Sequence, residues 1–288
     1  MRLAPSLIAP TRLFANSSAR ATLPVHPRPF NHLHHLHPRS ISTTMTATAP
    51  SPAPYEPTAA ATATQQTSTG VKLTAHNQYD ATRLDRTSLP ADPLDLFRAW
   101  LAEALRPAPG SPFPPVREPE AMVLSTATAR GVPSSRVVLL KEVDADGFVF
   151  FTNYNSRKSA ELQANPYAAL AFHWREVSRQ VRVVGKVEKV SRAESEAYFA
   201  TRPRGSQLGA WASAQSSAVG EGALAAAVED AAKKFEGKDV PCPEHWGGWR
   251  LVPFEIEFWA GQPSRLHDRF RYTRPEAGGE WAVDRLAP

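Results

Sequence analysis

The 288-residue sequence holds a single cysteine, so neither an intrachain disulfide nor a cysteine-rich zinc site can be built from it. That thiol, Cys242, lies in Pro241-Cys242-Pro243, a stiff loop with no activating base beside it in sequence, and reads as structural. No run approaches the roughly 20 apolar residues of a membrane span. No Gly-x-Gly-x-x-Gly loop is present, which argues against a doubly wound dinucleotide fold. Acidic residues are missing from Met1 to Tyr55, where Arg2, Arg12, Arg20, Arg28 and Arg39 are the only charged side chains. Ten of the 27 prolines and five of the nine histidines fall before residue 71, among Ala, Thr and Ser runs that cannot form a core. This composition predicts a disordered leader over residues 1–70 acting as a mitochondrial transit peptide, with a start at Met45 and a cytoplasmic product as the alternative.

Setting the leader aside changes the meaning of the charge. Five arginines against Glu56 give residues 1–70 a net +4 of the chain's formal +5, so residues 71–288 carry only +1. A nucleic-acid surface needs a basic patch on the folded part itself, and none is expected. The histidine-rich stretch from His32 to His37 lies inside the leader, and no metal site is expected elsewhere.

Within residues 71–288, Asp92-Pro93 followed by Leu94, Leu96, Phe97, Trp100, Leu101 and Leu105 predicts an N-capped helix with an apolar stripe. Strands are expected over 121–128, 135–143, 148–152, 167–174, 178–190, 249–259, 266–272 and 281–286, with a hairpin turn at Asp144-Ala145-Asp146-Gly147. Helices are expected over 156–164, from the capping box Ser191-Arg192-Ala193-Glu194 to about Ala200, and over 222–235. Hairpin-linked strands with scattered helices predict one α+β domain, mainly β, around a barrel or strongly coiled sheet.

Cations recur in this frame in patterns that suit anionic ligands. If Arg265-Leu266-His267-Asp268-Arg269-Phe270-Arg271-Tyr272 is one strand, Arg265, His267, Arg269 and Arg271 line one face while Leu266, Phe270 and Tyr272 line the other. Adjacent like charges repel unless paired, so the row predicts a bound anion. Pairing with Glu255 or Glu257 of the preceding strand is the structural rival. Arg136-Val137-Val138-Leu139-Leu140-Lys141 sets a cation at each end of an apolar strand. In Asn155-Ser156-Arg157-Lys158-Ser159 two cations occupy a helix start, opposing the helix dipole by a few tenths of a kcal/mol, a cost that a bound phosphate removes. Simple solvation is the alternative. Tyr198 and Arg202 are four residues apart, hence on one helix face, and Ser206 follows after a turn; together they suit a phosphate monoester, or merely stack. Gln215-Ser216-Ser217 adds amide and hydroxyl groups in a loop. No Ser/His/Asp set or paired catalytic carboxylates are evident, so the chemistry is expected to belong to a cofactor.

From about Leu89 to Pro288 the chain resembles the pyridoxamine/pyridoxine 5'-phosphate oxidases. The resemblance is carried by Arg136 to Lys141, Asn155 to Lys158, Arg179-Gln180-Val181, Arg202-Pro203-Arg204, Gln207-Leu208-Gly209-Ala210-Trp211, Gln215-Ser216-Ser217, Trp246-Gly247-Gly248, Glu257-Phe258-Trp259, Arg265-Leu266-His267-Asp268-Arg269 and the terminal Asp284-Arg285-Leu286-Ala287-Pro288. It implies an FMN-binding split β-barrel with peripheral helices, a homodimer, and FMN at the subunit interface. It implies FMN contacts from Arg136, Val137, Val138, Leu139, Leu140, Lys141, Phe151, Thr152, Arg157, Lys158, Gln180, Gln215, Ser216, Trp259 and Arg269. Lys141, Tyr198, Arg202, Ser206, Arg265, Leu266 and His267 would hold the substrate, with Arg265 and His267 over its ring as the catalytic pair. The implied reaction is oxidation of pyridoxine 5'-phosphate and pyridoxamine 5'-phosphate by O2 to pyridoxal 5'-phosphate and hydrogen peroxide, a step of vitamin B6 metabolism. The alternative is a non-catalytic split barrel that binds flavin or pyridoxal phosphate. Two departures stand out: Tyr79 is preceded by His76 where the family often has Arg, and Glu118 stands where Asp is common.

Overall fold

A proline at the first turn and an aspartate before it start the first helix of the computed structural model, which describes residues 65–67, 70–72, 78–107, 109–111 and 114–288. Asp92 accepts a hydrogen bond from the Leu94 N–H and caps helix α1 (Pro93–Leu105). Its stripe of Leu94, Phe97, Trp100 and Ala104 is buried. Phe97 meets Phe148 and Phe172 at centroid distances of 4.8 and 4.9 Å, and Trp100 meets Phe258 edge-on at 5.3 Å. This aromatic plug fills the core of the sheet, and truncating Phe97 to alanine would cost about 3–5 kcal/mol.

The strands are β1 (Gln65–Thr67), β2 (Gly70–Lys72), β3 (Ala121–Ala127), β4 (Pro133–Leu139), β5 (Glu142–Val143), β6 (Phe148–Asn153), β7 (Tyr167–Trp174), β8 (Arg179–Lys189), β9 (Trp246–Ala260), β10 (Asp268–Thr273) and β11 (Ala282–Arg285). β1 and β2 form a separate antiparallel pair that straddles residue 70; the expected leader otherwise lies outside the described residues. The others make one antiparallel sheet in the order β11-β10-β9-β8-β7-β3-β4, with β6 pairing β5 and β9. The 15-residue β9 serves both halves: Trp246 to Leu251 pair with β6, and Glu255 to Ala260 with β10. A sheet that shares one long strand in this way curls into a split barrel.

Two local features make the curl possible. The single strand expected over 135–143 is broken, because the Leu140 N–H donates to Glu120 O while the Lys141 N–H donates to Val149 O. The chain changes partner there, from β3 to β6. Gly147 and Gly185 mark close strand approaches: an added Cβ would lie 2.0 Å from the Leu251 carbonyl oxygen and 2.3 Å from that of Val252 respectively.

Four more helices, α2 (Arg157–Ala164), α3 (Arg192–Thr201), α4 (Arg204–Ala212) and α5 (Ala223–Lys234), lie beside this sheet. The Ser191/Glu194 capping box forms as expected. α4 was not expected, since Pro203, Gly205 and Gly209 lower helix propensity over that stretch. Its Ala210 packs with Phe199, Phe235, Val240 and Trp246 in a second apolar cluster. Among the described residues no helix is long and apolar enough to cross a membrane.

Candidate functional site

Ser156 ends the turn after β6 and caps α2, its hydroxyl accepting from the Ser159 N–H. Arg157 and Lys158 thereby occupy the first turn of the helix, at the mouth of a cavity of about 1030 Å3. β4 contributes Arg136, Val137, Val138 and Leu139 to its wall, and β6 contributes Phe151 and Thr152. Lys141, Tyr198, Arg202, Ser206, Gln215 and Ser216 complete the set of expected residues found there. Leu140 is the exception: it lies just past the end of β4, where the chain changes partner strand, and is buried in the barrel core.

Lys158 is only 9% exposed, and its ammonium donates to Gln215 Oε1 at 2.8 Å, Thr152 Oγ1 at 3.1 Å and Ser156 Oγ at 3.3 Å. Burial, reinforced by the nearby Arg136, brings its pKa down to about 8. The Arg157 N–H donates to Ser216 Oγ at 3.2 Å, and Ser216 holds a left-handed φ of 75° to present that hydroxyl. Arg136 donates to Leu124 O at 3.2 Å, Thr126 Oγ1 at 2.6 Å and Ser134 Oγ at 2.5 Å. The loop at Gln215-Ser216 is thus part of a cationic cradle that an anion would complete.

Facing it is an aromatic wall. Tyr198 stacks on Phe151 at 4.0 Å and 18°, Phe151 is nearly parallel to Trp246 at 5.5 Å, and the Arg202 guanidinium lies over Trp246 at 4.7 Å. Arg202 Nη1 is buried without a hydrogen-bond partner among the described residues. The expected shared helix face is not what brings Tyr198 and Arg202 together: α3 ends at Thr201 and Arg202 is its extended C-cap, while Ser206 follows in the first turn of α4.

The remaining expected residues line other depressions of the same chain. Gln180, Trp259 and Arg269 sit abreast on β8, β9 and β10, in register across the sheet, and border a cavity of about 210 Å3. Leu266 and His267 border another of about 430 Å3 with Arg83 and Arg285. Arg265 is exposed, and it does not share a strand face with Arg269: Ser264 and Arg265 adopt left-handed φ values of 57° and 63°, and β10 begins only at Asp268. The two-residue alternation therefore holds from Asp268 onward, with Asp268, Phe270 and Tyr272 buried. The outward arginines pair across the sheet: Arg269 reaches Glu257 at 2.8 Å, and Arg271 reaches Asp284 through Nη2 at 3.1 Å rather than Glu255 or Glu257, its buried Nε having no partner among the described residues.

His267 Nδ1 accepts the Gln262 N–H at 3.0 Å, so the neutral ring carries its proton on Nε2. Burial and the charges of Arg265 and Arg269 lower its pKa, favouring that neutral form. Tyr79 packs edge-on against both His267 and Trp259, at 5.5 and 5.3 Å. His76 lies outside the described residues, and Glu118 is an exposed turn residue with φ of 51°. Cys242 is half-buried, and burial pushes its thiol pKa up, as befits a structural residue.

Ser134 and Trp246 also line the cavity, and Glu161 and Thr126 hold its arginines from behind; the sequence assigns none of the four a role in the site. Their traces were present: Glu161 is four residues after Arg157 on α2, and Ser134 alternates with Arg136 on β4.

Residues 114–234 match the family described as pyridoxamine 5'-phosphate oxidase, and residues 246–288 match the pyridoxine 5'-phosphate oxidase C-terminal dimerisation region. A pyridoxine/pyridoxamine 5'-phosphate oxidase of Cupriavidus metallidurans is 52% identical over 211 residues, covering 73% of this chain and 95% of the relative. One from Streptomyces avermitilis is 51% identical over 212 residues, covering 73% and 93%. Among solved structures, PhzG from Burkholderia lata in complex with tetrahydrophenazine-1-carboxylic acid is 33% identical with a TM-score of 0.66, covering 74% of this chain and 100% of that one. A pyridoxamine 5'-phosphate oxidase-related, FMN binding protein from Nostoc punctiforme, at 16% identity and a TM-score of 0.52, covers 67% and 97% and shares the fold. The split barrel, the cationic cavity and these extended identities establish that the chain belongs to the pyridoxine/pyridoxamine 5'-phosphate oxidase family.

Proposed function

We propose that this chain is an FMN-dependent oxidase that converts pyridoxine 5'-phosphate and pyridoxamine 5'-phosphate, with O2, to pyridoxal 5'-phosphate and hydrogen peroxide, the amine substrate also consuming water and releasing ammonia. The observation that carries the reading is that one cavity holds two cationic clusters, each short of an anion. Among the described residues Lys158 is buried with hydroxyl and amide partners but no carboxylate, and Arg202 keeps a buried Nη1 without an acceptor. FMN and either substrate each carry one phosphate monoester, so the two clusters match the two reactants.

In this reading Arg136, Arg157, Lys158, Gln215 and Ser216 hold the cofactor phosphate and the chain leading to it, and Lys141, Tyr198, Arg202 and Ser206 hold the substrate phosphate. FMN held there would supply a two-electron acceptor that O2 can reoxidise. The protein's part is positioning, worth several kcal/mol when two reactants are held in register. Gln180, Trp259, Arg269, Arg265, Leu266 and His267 lie within or beside residues matching the dimerisation region. In a homodimer they would complete the cavity of the partner subunit, which accounts for their separation within one chain. His267, neutral with Nε2–H available, orients the substrate as a donor rather than removing a proton.

Purified protein should be yellow and should release peroxide with pyridoxine 5'-phosphate; a colourless protein that FMN cannot reconstitute would contradict the proposal. Arg265→Ala separates an oxidase from a passive flavin binder, since an oxidase loses turnover far more than FMN affinity.

A further inference from the structure

Beneath the cavity wall a carboxylate joins both arginines of the cradle. Glu161 of α2 is 6% exposed. Its Oε1 accepts from Arg157 Nε at 2.9 Å, and its Oε2 accepts from Ser134 Oγ at 2.6 Å and from the Thr126 hydroxyl, with Arg136 Nη2 3.6 Å away. Thr126 and Ser134 in turn accept from Arg136, closing a ring through β3, β4 and α2. Burial alone would raise the Glu161 pKa; the hydrogen bonds from Ser134, Thr126 and Arg157 overcome it and hold the group ionised, with a pKa of about 2.

We infer that Glu161 is a positioning residue for the anion cradle, anchoring Arg136 and Arg157 so that both cations converge on one phosphate. Arg157 is the more dependent of the two, because its side chain is 61% exposed and would otherwise sample many rotamers. Tethering through Nε leaves its two terminal nitrogens without protein acceptors among the described residues, which is the fork that grips a phosphate in bidentate fashion. The charge also balances. Arg136, Arg157 and Lys158 bring three positive charges and Glu161 removes one, leaving the net +2 that a phosphate monoester near −2 matches.

A purely electrostatic view predicts the opposite sign: deleting a negative charge beside an anion site should tighten anion binding. Anchoring predicts a loss, because the amide of glutamine keeps only one acceptor oxygen and cannot serve Arg157 on one side and the Ser134 and Thr126 hydroxyls on the other. The inference rests on reading the cavity as the FMN phosphate site, so the test separates the two. FMN, riboflavin and inorganic phosphate are titrated into FMN-free wild-type, Glu161→Gln and Ser134→Ala proteins. Glu161→Gln should bind FMN about tenfold more weakly or worse, with riboflavin, which lacks the phosphate, changed less than about twofold. Ser134→Ala should show the same selectivity with a smaller loss, and it carries the test if Glu161→Gln does not fold. Equal losses for FMN and riboflavin would mark Glu161 as merely structural, and unchanged or tighter FMN binding would make its charge the only effect; either overturns the inference. A wild-type protein that binds phosphate but not FMN contradicts the cofactor reading instead, and the effect of Glu161→Gln is then read on phosphate.

Discussion

Replacing Lys158 with methionine keeps the length and the apolar stem while deleting the charge, and should stabilise the FMN-free protein as it weakens the cofactor site. The ammonium is buried, has no carboxylate partner among the described residues, and titrates at about 8 instead of 10.5, through burial first and Arg136 second. At about 1.4 kcal/mol per tenfold change in proton affinity, roughly 3 kcal/mol weighs against the folded state at pH 7. That is an upper limit, since water in the open cavity screens the charge. The substitution also removes a donor, but Gln215 Oε1 keeps Thr152 as a partner at 3.1 Å, so the hydrogen-bond loss is about 1 kcal/mol. Lys158→Met should therefore be more stable by about 1–2 kcal/mol at pH 7, raising Tm by roughly 2–4 °C. The sign with pH follows from the depressed pKa. Between about 8 and 10.5 the folded chain binds fewer protons than the unfolded one, so wild-type stability rises through that window and the variant's advantage shrinks. Calorimetry of both FMN-free proteins at pH 7 and pH 10.5 measures this, together with a tenfold to hundredfold loss of FMN affinity estimated for one charge-assisted contact set. A lower Tm for the variant at pH 7, or a gap that does not narrow by pH 10.5, would refute the reasoning.

Other outcomes follow from particular contacts. Gly147→Ala forces a methyl group to within 2.0 Å of the Leu251 carbonyl oxygen and should lower stability by about 3 kcal/mol in denaturant unfolding; a change within error would mean that β6 and β9 can part freely. His267 has a pKa pushed below 6.5 by burial and two arginines, so kcat/KM should fall on the acid side with a midpoint below 6.5, and that limb should vanish in His267→Gln. Persistence of the same limb in the variant would assign it to another group. Residues 1–70, fused to a fluorescent reporter, should direct it to mitochondria, and a diffuse signal would leave the leader without import activity.

Much of the barrel could be read from the chain because local signals agree with it. The Asp92-Pro93 cap, the capping box at Ser191 and the turn at Asp144 to Gly147 each set an element boundary through a hydrogen bond that the sequence itself specifies. What escaped depends on contacts distant in sequence. Two-residue spacing predicts one charged face from Arg265 to Arg271, but the left-handed backbone at Ser264 and Arg265, neither of them glycine, gives no warning in composition. The break at Leu140-Lys141 reflects a change of partner strand, which periodicity does not report. In the cavity, cations were legible because like charges at close spacing need an explanation. The carboxylate that holds them was not, since an Arg157/Glu161 pair at i,i+4 looks like any surface ion pair until its burial is seen. Gln180, Trp259, Arg269 and His267 lie apart from the main cavity within one chain, and under the proposed homodimer the partner subunit would bring them to it.

The central claim is that two cationic clusters in one cavity bring FMN and a phosphorylated pyridine together for oxidation by O2. The most direct test reconstitutes the purified protein with FMN and follows pyridoxal 5'-phosphate and hydrogen peroxide together, with pyridoxine 5'-phosphate, pyridoxamine 5'-phosphate and unphosphorylated pyridoxine as substrates. Both phosphorylated compounds should give equal amounts of the two products, and pyridoxine should turn over little. Saturable FMN binding without oxidation of either phosphorylated compound, or equal turnover of pyridoxine, would contradict it.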